Sequence, residues 1–126
     1  MKKLVAGILG VSLVLAGCGY ADGVDTQFGD KAVSIFAEID DDTMALELSD
    51  RNDISNFELL GVEADTKQEV KFMNGLEGMV KLQDKVVNGD REALKEYMFA
   101  RKSALNALGV KDNGAVVPQF SFYEEE

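Results

Sequence analysis

Apolar positions settle into a helical rhythm most clearly after residue 66. Val70, Met73, Leu76, Val80 and Val87 recur at spacings of three, four and seven, and Phe72, Met79 and Val86 widen the stripe. This is the period of one face of an α-helix. Thr66 and Glu69 precede the run three residues apart. That spacing predicts a capping box, in which each side chain bonds the other's backbone N–H. Asn88-Gly89 predicts the stop of this helix and Asp90 the cap of the next, which carries Leu94, Tyr97, Met98, Arg101, Leu105 and Leu108 as far as Gly109. Two striped helices joined by so short a turn predict an antiparallel helical hairpin. One face of such a hairpin stays open, and the preceding segments must cover it.

Those segments read less sharply. In residues 31–49, Ala32, Phe36, Ile39, Thr43 and Leu46 keep helical spacing, with Asp30 as a cap. Val33, Ile35, Ala37 and Ile39 alternate, as do Met44, Leu46 and Leu48, which suits two strands turning at Asp40-Asp41-Asp42. Helix is preferred, because nothing downstream offers a sheet to join and a lone hairpin is marginal. A short helix is expected over residues 54–60, capped by Asp53 and stopped at Gly61. Residues 19–30 hold three glycines, three aspartates and no apolar period. They read as a flexible tether of roughly 20 Å reach, the alternative being an ordered loop that packs Tyr20 or Phe28. Residues 110–126 turn at Asp112-Asn113-Gly114 and, with Pro118, predict an extended acidic and aromatic tail. The expected fold is all-α, a small helical bundle over residues 31–109 built around the hairpin. The alternative is α+β, with a β-hairpin in residues 31–49.

The amino end has another pattern. Lys2 and Lys3 precede an apolar run over residues 4–15, broken only by Ser12, and small Ala16 and Gly17 follow. A charged start, an apolar middle of about 7–15 residues and a small-residue end predict a secretory signal peptide over residues 1–17. The run falls short of the roughly 20 apolar residues of a spanning helix. Leu15-Ala16-Gly17-Cys18 resembles the lipobox of bacterial lipoproteins. The resemblance implies that the Cys18 thiol receives a diacylglycerol, that a peptidase cuts just before it, and that Cys18 becomes the first residue of the mature protein. Two acyl chains are enough for stable anchoring at about 0.8 kcal/mol per buried methylene. The implied location is the extracytoplasmic side of the cell membrane. Gly19, in place of an aspartate, would favour the outer membrane in a diderm host.

Composition then narrows the chemistry. The mature part, about 109 residues, has room for one domain. The formal charge of −10 becomes more negative once Lys2 and Lys3 leave with the signal. That argues against nucleic acid, which needs clustered Lys and Arg, and against docking on anionic lipid through protein charge. Histidine is absent and cysteine occurs once. Most zinc sites, Cys–His and Ser–His nucleophile pairs and disulfides are thereby excluded. No cofactor is implied, and an enzyme is not indicated.

Candidate sites are few. Glu38, Asp40, Asp41 and Asp42 invite a calcium reading. An EF-hand loop would need glycine at its sixth position and glutamate at its twelfth. Counted from Asp40 these are Ala45 and Arg51, and counted from Asp50 they are Ser55 and Gly61. The pattern fails, and a solvated turn or helix start is expected. Met44, Met73, Met79 and Met98 could line a partner groove but read as core filler at this spacing. Tyr97 and Arg101, one turn apart, form either a small recognition patch or a core tyrosine with its hydroxyl at the edge. Phe120, Phe122 and Tyr123 form the best remaining candidate, an extended ligand for a partner's sheet or groove.

The expected function is a membrane-anchored, non-catalytic interaction or accessory module at the cell envelope, with an envelope protein as partner. Small phage- or plasmid-borne lipoproteins are similar in kind. Two other readings stand beside it. One is a small solute- or metal-binding lipoprotein. The other is the precursor of a peptide pheromone, since Val11 to Gly17 resembles the hydrophobic mating peptides cut from lipoprotein signals.

Overall fold

The computed structural model describes residues 19–111. Four helices follow in order: α1 (Thr26–Met44), α2 (Arg51–Glu63), α3 (Lys67–Val87) and α4 (Arg91–Leu108). The described residues contain no strand. The chain is therefore an all-α helical bundle, and the β-hairpin alternative for residues 31–49 is not supported. Successive helices alternate in direction. Lys31 near the start of α1 pairs with Glu63 at the end of α2. The backbone at Asp25, ahead of α1, meets Glu69 in the first turn of α3. Gln83, late in α3, meets Thr43, late in α1. The amide of Ala21 donates to the carbonyl of Leu108 at the end of α4.

The local signals explain where most helices begin and end. The Thr66–Glu69 capping box is complete, and Asp90 caps α4. Gly89 and Gly109 both take positive φ just past α3 and α4. The left-handed conformation closes a helix end by bonding back to its last carbonyls. α1 ends the same way without glycine. Leu46 sits at φ 60°, its amide donating to Thr43 O and that of Glu47 to Asp42 O. A leucine in this region carries a steric cost of about 1–2 kcal/mol, so no turn residue marks the end in the sequence. Two boundaries differ from expectation. α1 starts five residues early, capped by Asp25 rather than Asp30. α2 runs over Arg51–Glu63, capped by Asp50 rather than Asp53, and passes through Gly61.

α3 and α4 form the expected antiparallel hairpin, and α1 covers its open face. Phe28 meets Phe72 edge to face at 6.1 Å between ring centroids. Phe36, Ile39, Phe72, Leu76, Met79, Val86, Tyr97 and Leu108 are fully buried together. The buried face of α3 runs Glu69, Phe72, Leu76, Met79, Gln83 and Val86. It is rotated from the expected stripe, for Val70 is exposed and Met73, Val80 and Val87 are half-buried. Two polar residues lie in phase with the core, so counting apolar residues alone misplaced its centre.

The hairpin is tight at Gly75. A Cβ there would lie 2.9 Å from Ala100 O and from the backbone N and Cβ of Ala104. Gly75→Ala should raise helix propensity by up to about 1 kcal/mol, yet it must push backbone against backbone. Overpacking of this kind costs about 1–3 kcal/mol. A net loss of stability is expected in urea denaturation, and an unchanged or raised midpoint would show that the helices part freely.

Candidate functional site

Three polar hubs are built into this bundle. The first joins α1 to α4. The Nε of Arg101 donates to both carboxylate oxygens of Asp40 at 2.9 and 3.0 Å, and the Tyr97 hydroxyl donates to Oδ1 at 2.8 Å. The guanidinium also lies 5.7 Å from the centre of the Phe36 ring, a cation–π distance. Asp40 is 6% exposed, Arg101 3% and Tyr97 fully buried. Burial, and then the Asp40 charge, push the Tyr97 phenol well above its ordinary range. The phenol therefore stays protonated and acts as a donor. The three side chains tie α1 to α4, and Arg101 also lines an open groove of about 670 Å³ with Met98, Lys102 and Leu105.

The second hub fastens the loop between α1 and α2 to α3. Gln83 accepts from the Ser49 amide through Oε1 at 2.8 Å and donates through Nε2 to Thr43 Oγ1 and Ser49 Oγ at 2.8 and 3.0 Å. Ser49 Oγ in turn donates to Asp42 at 3.1 Å. Gln83 lies on the core face of α3, where its amide can donate and accept at once.

The third hub holds the amino-terminal segment. Glu69 accepts from the backbone amides of Asp25, Asp65 and Thr66 at 2.8, 2.9 and 3.2 Å. Thr66 Oγ1 donates to Gly23 O. Tyr20 donates to Asp30 at 2.5 Å, and its ring occupies the space that a Cβ on Gly29 would need. The Ala21 amide reaches Leu108 O at 2.8 Å. The expectation of a flexible tether over residues 19–30 is thus corrected. Residues 20–25 are strapped to the ends of α3 and α4, and residues 26–30 belong to α1. The segment satisfies its own polar backbone on the bundle, which composition alone does not reveal.

Burial acts to raise the pKa of Glu69, but its backbone N–H donors outweigh burial and hold it below the ordinary value of 4.5. A group whose pKa is lowered by folding contributes stability in full above its unfolded value. That contribution disappears as pH falls through the lower folded value. Glu69→Gln should therefore cost about 1.5–3 kcal/mol at pH 6, the range for hydrogen bonds to a charged group. The gap between the two proteins should close as the medium is acidified below pH ~4.5. A gap that stays constant down to pH ~3, measured by urea midpoints, would show that the Glu69 charge is not what holds the strap.

The structure also sorts the residues singled out from the sequence. Tyr97 and Arg101 do come together, but inside the protein, so the surface-patch reading is overturned. The hydroxyl of Tyr97 is buried rather than at an edge. The acidic run is not a solvated turn or helix start: it lies in the last turns of α1, and Asp40 and Asp42 are buried. Met44 and Met79 are core residues, whereas Met73 and Met98 are half-buried at its margin. No group of three or more metal-ligating side chains occurs among the described residues, and none of their helices is long and apolar enough to cross a membrane. Leu15, Ala16, Gly17 and Cys18 lie outside the described residues, as do Phe120, Phe122 and Tyr123. Glu69 and Gln83 went unrecognised as hubs. The available signal was their place in the three-four spacing of Phe72, Leu76, Met79 and Val86.

Two further open grooves run between helices. One of about 580 Å³ between α3 and α4 is lined by Gln68, Lys71, Asn74, Phe99 and Ser103. Another of about 490 Å³ between α1 and α2 is lined by Lys31, Ile35, Leu59 and Glu63. The class defined by these features is a small four-helix bundle with internal polar ties. No protein family, curated protein or solved structure matches this chain.

Proposed function

We propose that this protein is a lipid-anchored, non-catalytic interaction or accessory module on the extracytoplasmic side of a cell membrane. The observation that carries the reading is the run Leu15-Ala16-Gly17-Cys18 at the end of a signal-like segment. The bundle is compatible with it. The buried titratable groups Asp40, Tyr97 and Arg101 bond one another and hold α1 to α4. Outward-facing Phe99, on the flank of α4, supplies apolar surface for an envelope protein partner. Acyl chains on Cys18 would supply the membrane affinity that an acidic domain lacks.

Cys18→Ser should abolish incorporation of a palmitate analogue in growing cells and leave the uncleaved precursor on a gel, because the chain contains no other thiol. Continued labelling of the variant would sink the lipoprotein assignment.

A further inference from the structure

We propose that the bundle lies directly on the bilayer that its acyl chains enter, with the pole carrying Tyr20 toward the lipid and the pole carrying Gln83 away from it. The proposal rests on the lipid-anchored reading above and adds an orientation to it.

The length of the leash is the main argument. Tyr20, Ala21, Gly23 and Asp25 are each bonded to the bundle, through Asp30, Leu108, Thr66 and Glu69. Only Gly19 separates this strap from Cys18. Two residue steps span at most about 7 Å, whereas a free twelve-residue tether would reach roughly 20 Å. α3, with 21 residues, is about 30 Å long. The anchored pole therefore cannot lift off the membrane by even half the length of the bundle.

Exposed apolar side chains are more numerous at the strapped pole. Leu59 and Val62, in the last two turns of α2, are 60% and 84% exposed, and Val70, at the start of α3, is 45% exposed. All three sit at the strapped pole. Exposed apolar side chains there can rest in the interfacial region of a bilayer. Charges at this pole are mixed, with Lys67, Lys71 and Lys111 beside Asp22, Glu63 and Asp65. The far pole is mixed as well, with Arg51, Lys85 and Arg91 among Glu47, Asp50 and Asp84, and it exposes one apolar residue, Leu48. The far pole and the flanks, rather than the strapped end, are then the surfaces open to a protein partner.

The test uses the full-length protein purified from membranes and reconstituted in phosphatidylethanolamine–phosphatidylglycerol vesicles. Acylation consumes the Cys18 thiol, so one added cysteine is the only labelling site. Lys67→Cys and Lys85→Cys place dyes at exposed positions on α3, about 27 Å apart along its axis. Energy transfer to a headgroup-labelled lipid should be several-fold stronger from position 67. Inserting twelve Gly/Ser residues between Gly19 and Tyr20 should remove the difference without moving the melting curve. Equal transfer from both positions in a protein that carries the palmitate label would overturn the orientation while leaving the anchor intact. A difference that survives the linker would overturn the short leash as its cause. A protein that never acquires the label would overturn the anchor and this proposal together.

Discussion

Replacing Asp40 with alanine is expected to destabilise the bundle by about 3–5 kcal/mol, the cost of breaking a buried ion pair from one side. Small domains have only about 5–15 kcal/mol in total, so the variant should sit near the edge of folding. The change removes the acceptor of both Arg101 Nε and the Tyr97 hydroxyl. Arg101 would keep its charge at 3% exposure, beside an aromatic ring and without that carboxylate. Replacing the set with apolar residues, Asp40→Leu with Tyr97→Phe and Arg101→Met, should recover much of the loss, because no charge then has to leave water. Urea denaturation of the two variants measures both effects. A loss below about 1 kcal/mol for Asp40→Ala would mean that Arg101 is readily rehydrated and that the hub is not a structural tie.

Leu76→Asp is expected to be worse still. Leu76 is fully buried between Phe72 and Met79 on the core face of α3. The substitution forfeits about 1.5–3 kcal/mol of apolar burial and either buries an unpaired carboxylate or forces it to stay protonated, at several kcal/mol more. The variant should be largely unfolded at room temperature by circular dichroism. Lys81→Ala, on the opposite face of the same helix, is the matched control. Its contact with Glu77 is 3.4 Å long with both side chains more than half exposed, so the change should stay within about 0.5 kcal/mol. Comparable losses from the two substitutions would show that the buried face of α3 is wrongly identified.

Much of this architecture is legible from short-range chemistry. The Thr66–Glu69 box, Asp90, Gly89 and Gly109 are each decided within one turn of chain, and each does what its residue type predicts. Where the expected boundary moved, a residue of the ordinary kind was doing another job. Asp30, an apt cap by type, is instead the acceptor for Tyr20, and Asp25 caps α1. Gly61, an apt stop, continues inside α2. Leu46 closes α1 in a conformation usually left to glycine, and tertiary packing must hold it there. Leu46 is half-buried against the core.

The interior polar ties were not legible, for a different reason. Asp40 meets Tyr97 and Arg101 across 57 and 61 residues of chain, and Gln83 meets Thr43 across 40. No local pattern couples positions that far apart. A buried Arg or Glu looks the same in sequence as an exposed one until its partner is known. The same limit hid the strap. Glycine and aspartate in residues 19–30 signal flexibility only when their backbone groups face water, and here those of Gly23 and Asp25 meet Thr66 and Glu69.

The sequence by itself determined the all-α class and the hairpin of α3 and α4. Each is encoded in contiguous residues, by the helical period or by caps that bond within one turn. The tertiary structure alone decided which face of α3 is buried, that an acidic run at the end of α1 is partly interior, and that the segment after Cys18 is bound rather than free. Those outcomes depend on which distant donors and acceptors meet, and only the packed fold sets that.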